Sequence, residues 1–166
     1  MGKNRNDDWR KVNDMEIIPY ESRYAEDLRL LNEAWLEKYF VVEPYDSELL
    51  SQCENIILKP GGFIFFIRIG SKIVGTAAYI FKSKGVYELG KMAVDPIFQG
   101  QKLGQKLLLF MLEFAQKRHW SKIILYSSRK LKNALYIYQK NGFIEVPLEP
   151  NLPYDRSDIK MELNLK

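Results

Sequence analysis

The stretch from Glu88 to Gln105 reads ELGKMAVDPIFQGQKLGQ, and the rest of the chain is placed around it. Its first seven residues form an apolar strand that turns at Asp95-Pro96 into a short polar loop carrying Gln99, Gly100, Gln101 and Lys102. The loop opens a long amphipathic helix beginning with Leu103, Gly104 and Gln105. A glycine-containing loop feeding a helix leaves several backbone N–H groups without intrahelical partners, all at the positive end of the helix dipole. That arrangement suits a diphosphate. A Walker-type loop needs Gly-Lys-Ser/Thr, whereas Gly104 is followed by Gln105-Lys106-Leu107. A dinucleotide fingerprint needs G-x-G-x-x-G, and the loop offers only Gly100 and Gly104. A plain strand–turn–helix connection stays open beside these readings.

A third phosphate-binding reading fits better. Gln99 to Gly104 resembles the Gln/Arg-x-x-Gly-x-Gly/Ala signature of the GNAT superfamily of N-acetyltransferases, with Lys102 where the pattern has its first glycine. Asn133 to Phe143, NALYIYQKNGF, is similar to that superfamily's late helix and following strand. Ala134, Tyr138 and the Gly142-Phe143 pair stand at the family spacing, while Leu131 replaces an asparagine often found seven residues before the tyrosine. The resemblance extends over nearly the whole chain from Met15. It takes in Asn32 to Trp35, Val42 to Pro44, Gly75 to Ala77, Tyr87 to Val94, Tyr154 and Arg156 to Met161. One bacterial branch looks most similar, with domains also found fused to winged-helix regulators.

The resemblance implies one α/β domain over residues 15–166, a mixed and mainly antiparallel sheet of about seven strands with helices on both faces. It implies acetyl-coenzyme A as cosubstrate, no metal, and an amine as acceptor. Met92, Ala93, Val94, the loop Gln99 to Gln105 and Asn133 would hold the cofactor, with backbone N–H groups near Ala93 and Val94 meeting the oxyanion. Glu88 lies six residues before Val94, where histone acetyltransferases of the superfamily carry a basic glutamate, and Tyr138 matches the family's general acid. The alternatives are a glutamate on the polar face of a half-exposed strand and a core aromatic.

The chemistry explains why such groups are needed. A free alkylammonium, with a pKa of roughly 10.4, is almost fully protonated at neutral pH, so a base must take its proton directly or through water. Preorganised oxyanion donors are worth ~3 to 4 kcal/mol of barrier. A thiolate with a pKa near ~8.5 leaves readily, so an acid adds at the low end of the ~10²- to 10⁴-fold range.

For the acceptor, Glu43, Tyr45 and Asp46 make the segment before the sheet aromatic and acidic, which suits a cationic amine. Trp35 and Tyr39 read as packing residues of the first helix. Tyr154 and Arg156 lie in a late loop that borders the acceptor cleft in relatives, and Arg156 could take a carboxylate in a bidentate pair. The expected partners are a coenzyme A thioester and an amine, with a homodimer an open option. A reading from another class is a non-catalytic acyl-coenzyme A-binding module, which needs the loop but not Glu88 or Tyr138.

Composition points to a single cytoplasmic domain. The 166 residues are 46% hydrophobic and 28% charged, ordinary globular usage with enough length for one substantial core. There is no apolar run of membrane-spanning length, and the first 14 residues are polar, read as a disordered segment or an upstream extension. A net charge of +4 with scattered cations argues against a nucleic-acid binder. The small cluster Arg129, Lys130 and Lys132 suits a solvated loop or, with Lys102 and Lys106, attraction of a polyanion. The lone Cys53 fits a packing role, and the only histidine, His119, a surface cap at a helix end.

Periodicity supplies the remaining elements. Met15 to Ile18 reads as a strand. Ser22 is placed to cap a helix with Tyr24, Leu28, Leu31, Trp35 and Tyr39 on one face, and Asp46 to cap a second. Residues 63–69 and 72–81 form a hairpin about Gly70-Ser71, and Gly90 inside the next strand marks a bulge or a close approach. Residues 103–118 and 132–140 read as helices, residues 123–127, 143–146 and 159–165 as strands, and residues 147–157 as a loop.

Overall fold

The computed structural model describes residues 15–166; residues 1–14, and the reading of them as a disordered segment or extension, lie outside the described residues. Seven strands make one sheet: β1 (Met15–Pro19), β2 (Phe63–Ile69), β3 (Lys72–Ser83), β4 (Val86–Val94), β5 (Lys122–Ser127), β6 (Ile144–Val146) and β7 (Ile159–Asn164). Their order is β1-β2-β3-β4-β5-β7-β6, and every pair is antiparallel except β4 with β5. This is the mixed, mainly antiparallel α/β sheet expected. Among the described residues four α-helices complete it: α1 (Ala25–Tyr39), α2 (Pro44–Ser51), α3 (Leu103–Lys117) and α4 (Lys132–Lys140).

The sheet is covered on both faces, and β2 shows how. Phe65, Ile67 and Ile69 belong to the cluster built with α3, while Ile64 and Phe66 alternate into the cluster under α1 and α2. A strand buried on both sides has no polar face, which is why FIFFIRI is almost unbroken hydrophobic sequence. On α3, Leu103, Leu107, Leu108, Met111 and Ala115 recur at three- and four-residue spacing and are buried, each large side chain contributing ~1.5–3 kcal/mol. Tyr79 is fully buried yet satisfied, donating to the Met111 carbonyl at 2.7 Å.

Several local readings change. The long helix starts at Ala25 after a short 3-10 turn, Ser22–Tyr24, and Ser22 makes no side-chain cap. Its buried positions are Leu28, Asn32 and Leu36, so the inward face is rotated from the expected stripe and leaves Trp35 and Tyr39 only half-buried. In α2 the N-cap is Glu43, and Asp46 is the third helical residue of a reciprocal capping box. The Asp46 carboxylate thus accepts from the Glu43 N–H at 2.9 Å. Gly90 is ordinary strand, and the bulge falls on its neighbour: Ala78 pairs with Gly90 and Thr76 with Ala93, which leaves Lys91 and Met92 opposite Ala77 alone. Lys91 has φ 52°, a left-handed conformation rare for a residue with a side chain.

Candidate active site

The site begins where two parallel strands part. β4 pairs with β5 only over Val86–Glu88 against Lys122–Ile124, so from Leu89 onward that edge of β4 has no strand beside it. Glu88 stands at the apex of the V. The bulge at Lys91 bends β4 away, and Asn32 of α1 fixes the bend by donating to the Lys91 carbonyl at 3.3 Å and to Leu28 at 3.0 Å. The opening becomes a cleft of about 810 Å³, inside the range of ~300–1,000 Å³ usual for small-molecule and cofactor sites.

One wall is the loop into α3. Asp95 accepts from the Ile97 N–H at 3.0 Å and its own N–H binds the Val74 carbonyl at 2.8 Å, while Phe98 is fully buried as an anchor. With both ends fixed, Gln99, Gly100 and Lys102 turn to the cleft. Lys102 occupies the N-cap of α3 with φ 60°, a glycine-like conformation at the position where the family pattern has glycine. No side chain caps α3, and its first turn carries no acidic residue. The first N–H groups of the helix are therefore left for an anion.

Of the residues singled out for the cofactor, Met92, Ala93, Val94, Gln99, Gly100, Lys102, Leu103, Gly104, Gln105 and Asn133 all line this cleft, and Gln101 does not. Gly104 has open space where a Cβ would stand. In the basic cluster, Arg129 pairs with Glu145, and Lys130 donates to the Tyr39 carbonyl with its ammonium 4.1 Å over the Phe40 ring.

Glu88 and Tyr138 both border the cleft. The Glu88 carboxylate is 3.5 Å from Lys82, and only 15% of its side chain is exposed. Burial pushes its carboxyl above the ordinary glutamate value, against the pull of Lys82 and Lys91. Tyr138 stands on α4 with its ring edge-on to Phe143 at 5.7 Å. Burial pushes its phenol up to about 12, so it is protonated at neutral pH. Among the described residues its hydroxyl has no protein hydrogen-bond partner.

The acceptor-side residues converge in a way the sequence did not disclose. Arg156 donates to both oxygens of Asp46, at 2.7 and 2.8 Å, and to Glu43 at 2.8 Å. Glu43 also accepts from the Asp155 N–H at 2.8 Å, so it ties the start of α2 to the late loop and does not line the cleft. The Arg156 guanidinium, expected to face a substrate carboxylate, thus already holds two carboxylates of its own chain. Lys91, 3.2 Å from Asp46, completes two cations and two carboxylates. Burial pulls Lys91 below the ordinary lysine value, opposed by Asp46. For Asp46 burial raises the pKa, but Arg156, the Glu43 N–H and Lys91 outweigh it and hold the carboxyl low.

Sequence reasoning missed Lys91 and Asn32. A lysine next to glycine inside an apolar strand was the available signal for the first; Asn32 on a helix gave none. Trp35 and Tyr39, read as packing residues, line the cleft with ring centroids 5.5 Å apart. Among the described residues no group of three or more His, Cys, Asp or Glu is placed to hold a metal ion. None of the described helices is long and apolar enough to cross a membrane.

Known proteins share this architecture. A crystal structure of a GNAT-family acetyltransferase from Staphylococcus aureus Mu50 superposes with a TM-score of 0.80 at 27% identity, over 92% of this chain and 99% of that one. An N-acetyltransferase, PaiA, from Thermoplasma acidophilum, solved with coenzyme A, superposes with a TM-score of 0.72 at 20% identity over 90% and 98%. In sequence, the N-acetylaspartate synthetase of Xenopus tropicalis is 31% identical over 99 residues, 58% of this chain and 36% of that protein. The chain therefore spans about a third of the length of that relative. The model of the acetyltransferase (GNAT) family matches residues 27–143, well over half of the chain, and this protein belongs to that family.

Proposed function

We propose that this protein transfers an acetyl group from acetyl-coenzyme A to a primary amine of a small molecule or protein, directly and without a metal. The observation that carries the reading is the open edge of β4 beyond Glu88, which ends against the uncapped N-terminus of α3. An extended pantetheine arm can pair with a free strand edge, and a diphosphate can take the helix N–H groups. The coenzyme A complex of the Thermoplasma N-acetyltransferase supports the choice of donor.

In this reading Glu88 is the base. Its raised pKa brings it nearer the pH at which it must accept a proton, and a water relays the proton from the ammonium. The neutral amine attacks the thioester carbonyl, and β4 N–H groups near Ala93 and Val94 receive the oxyanion. As the carbon–sulfur bond breaks, Tyr138 donates to the departing thiolate. A phenol near 12 is a weak acid for this task, so its contribution is mainly the hydrogen bond to developing charge. The nitrogen gives up its second proton to solvent as the amide forms, and this balances the proton that the thiolate takes up. Glu43, Tyr154 and Arg156 shape the acceptor side.

Purified protein is tested against an amine panel while free thiol release from acetyl-coenzyme A is followed. Amine-dependent release supports the reading. Tight cofactor binding with no release from any amine favours a binding module. Gly104→Val checks the pyrophosphate assignment, because a Cβ at Gly104 meets open space in the free protein and the added bulk faces the ligand. Unchanged cofactor affinity in that variant contradicts the assignment.

A further inference from the structure

The hydroxyl of Tyr154 is oriented by its neighbours. Lys91 Nζ lies 2.7 Å from Tyr154 Oη and 3.2 Å from Asp46 Oδ1. An ammonium has three donors and no acceptor, so in the first contact the tyrosine oxygen must accept. The Asp46 carboxylate, itself fully buried and 3.2 Å from Lys91 Nζ, favours the charged form that imposes this, against the burial that pulls the Lys91 pKa down. The Tyr154 proton must therefore point away from Lys91. Among the described residues Tyr154 donates to no protein atom, and its ring borders the cleft.

The ring has little freedom to do otherwise. Tyr45 packs edge-on against it at 5.2 Å, and the Arg156 guanidinium lies 4.2 Å from its centroid. Arg156 is in turn locked on Asp46 and Glu43. Burial and the nearby carboxylates raise the phenol's pKa, so the proton stays on at neutral pH. The cluster Glu43, Asp46, Lys91 and Arg156 carries two charges of each sign and is closed on itself. Lys91 and Arg156 border the cleft with their charges paired, and Tyr154 adds an O–H donor to the lining that also holds Glu88.

We propose that Tyr154 is a specificity-determining residue that binds a carboxylate or carbonyl oxygen of the acceptor, with Lys91 as the positioning residue that aims its hydroxyl. This rests on the amine-acceptor reading above and narrows it to acceptors of the amino-acid or amino-amide type. Glu88 meets the amine end and Tyr154 the oxygen end. Arg156 then acts through Tyr154 and needs no substrate contact of its own.

The test compares matched acceptors in three forms: the α-amino acid, its amide, and the plain alkylamine lacking that oxygen. Wild type should prefer the oxygen-bearing forms. In Tyr154→Phe the preference over the plain amine should fall by about 5-fold for the amide and about 30-fold for the acid, carried by acceptor KM. Lys91→Met, which keeps the tyrosine but frees its proton, should erode the preference in the same direction. A preference for plain amines, or one untouched in Tyr154→Phe, overturns the proposal. A second arm needs no turnover. Propionate and propionamide are titrated while backbone amide shifts are followed. Saturable binding to wild type that weakens about 10-fold or more for propionate in Tyr154→Phe supports the proposal. Equal affinity, or no binding to wild type, overturns it. Absence of thiol release with every amine would contradict the transferase reading alone, and the titration would still decide this one.

Discussion

Arg156 grips Asp46 through two parallel hydrogen bonds, 2.7 Å from Nη1 to Oδ2 and 2.8 Å from Nη2 to Oδ1. The pair joins residues 110 apart in sequence, so it fixes α2 to the loop before β7 and with it one wall of the cleft. Asp46 has no exposed side-chain surface. Removing one partner of such a pair leaves the other charge buried, at a cost of roughly 3–5 kcal/mol. Asp46→Asn should lose that much stability near neutral pH in denaturant unfolding. The sign of the pH dependence follows from the depressed pKa. The Asp46 contribution is present above the unfolded value of about 4 and lost as pH falls through the lower folded value. The gap between wild type and Asp46→Asn should therefore narrow in acid.

Glu88 has the opposite linkage. Burial raises its folded pKa, so the native state keeps the proton to a higher pH than the unfolded chain, whose value is about 4.3. Ionisation as pH rises through that window costs stability, and Glu88→Gln removes the cost. The variant should be at least as stable as wild type at neutral pH while turnover falls by about 10²-fold or more. Wild-type activity should show an acidic limb with a midpoint above the ordinary glutamate value, and the variant should lack it. A destabilised variant with full activity would remove Glu88 from the mechanism.

Two backbone positions make contrasting predictions. A Cβ on Gly62 would stand 2.4 Å from the Tyr79 carbonyl oxygen and 2.5 Å from that of Ile57, with no flexible side chain to yield. Gly62→Ala should cost roughly 3 kcal/mol, seen as a lower unfolding midpoint. Lys102, at φ 60°, carries left-handed strain of about 1 kcal/mol that glycine would relieve. Lys102→Gly should raise stability by about that amount, while losing a cation beside the cofactor loop. Cofactor affinity should drop modestly, with a shallower salt dependence.

The fold was legible because local signals agreed with one another. The hairpin about Gly70-Ser71 and the long amphipathic helix from Leu103 both read correctly from the sequence. Gly90 announced a bulge without placing it to the residue, because nothing local shows that the neighbouring Lys91 takes φ 52°. The α1 face was misjudged because its centre is a polar residue, Asn32, buried to fasten the bulge. The acceptor side was least legible. Glu43, Asp46, Lys91, Tyr154 and Arg156 come from three distant segments, and their pairing decides which groups remain open to a ligand. A guanidinium that looks like a substrate clamp in sequence can be paired with two carboxylates of its own chain.

The central claim is that the cleft carries out transfer, with Tyr138 as donor to the leaving thiolate. Among the described residues its hydroxyl has no protein partner, so Tyr138→Phe removes that group and leaves the ring against Phe143 in place. The deciding measurement is amine-dependent thiol release by this variant, with acetyl-coenzyme A affinity measured on the same preparation by calorimetry. The account predicts unchanged affinity and stability with kcat lower by about 10²-fold. Full turnover in Tyr138→Phe would contradict it and leave Tyr138 as packing.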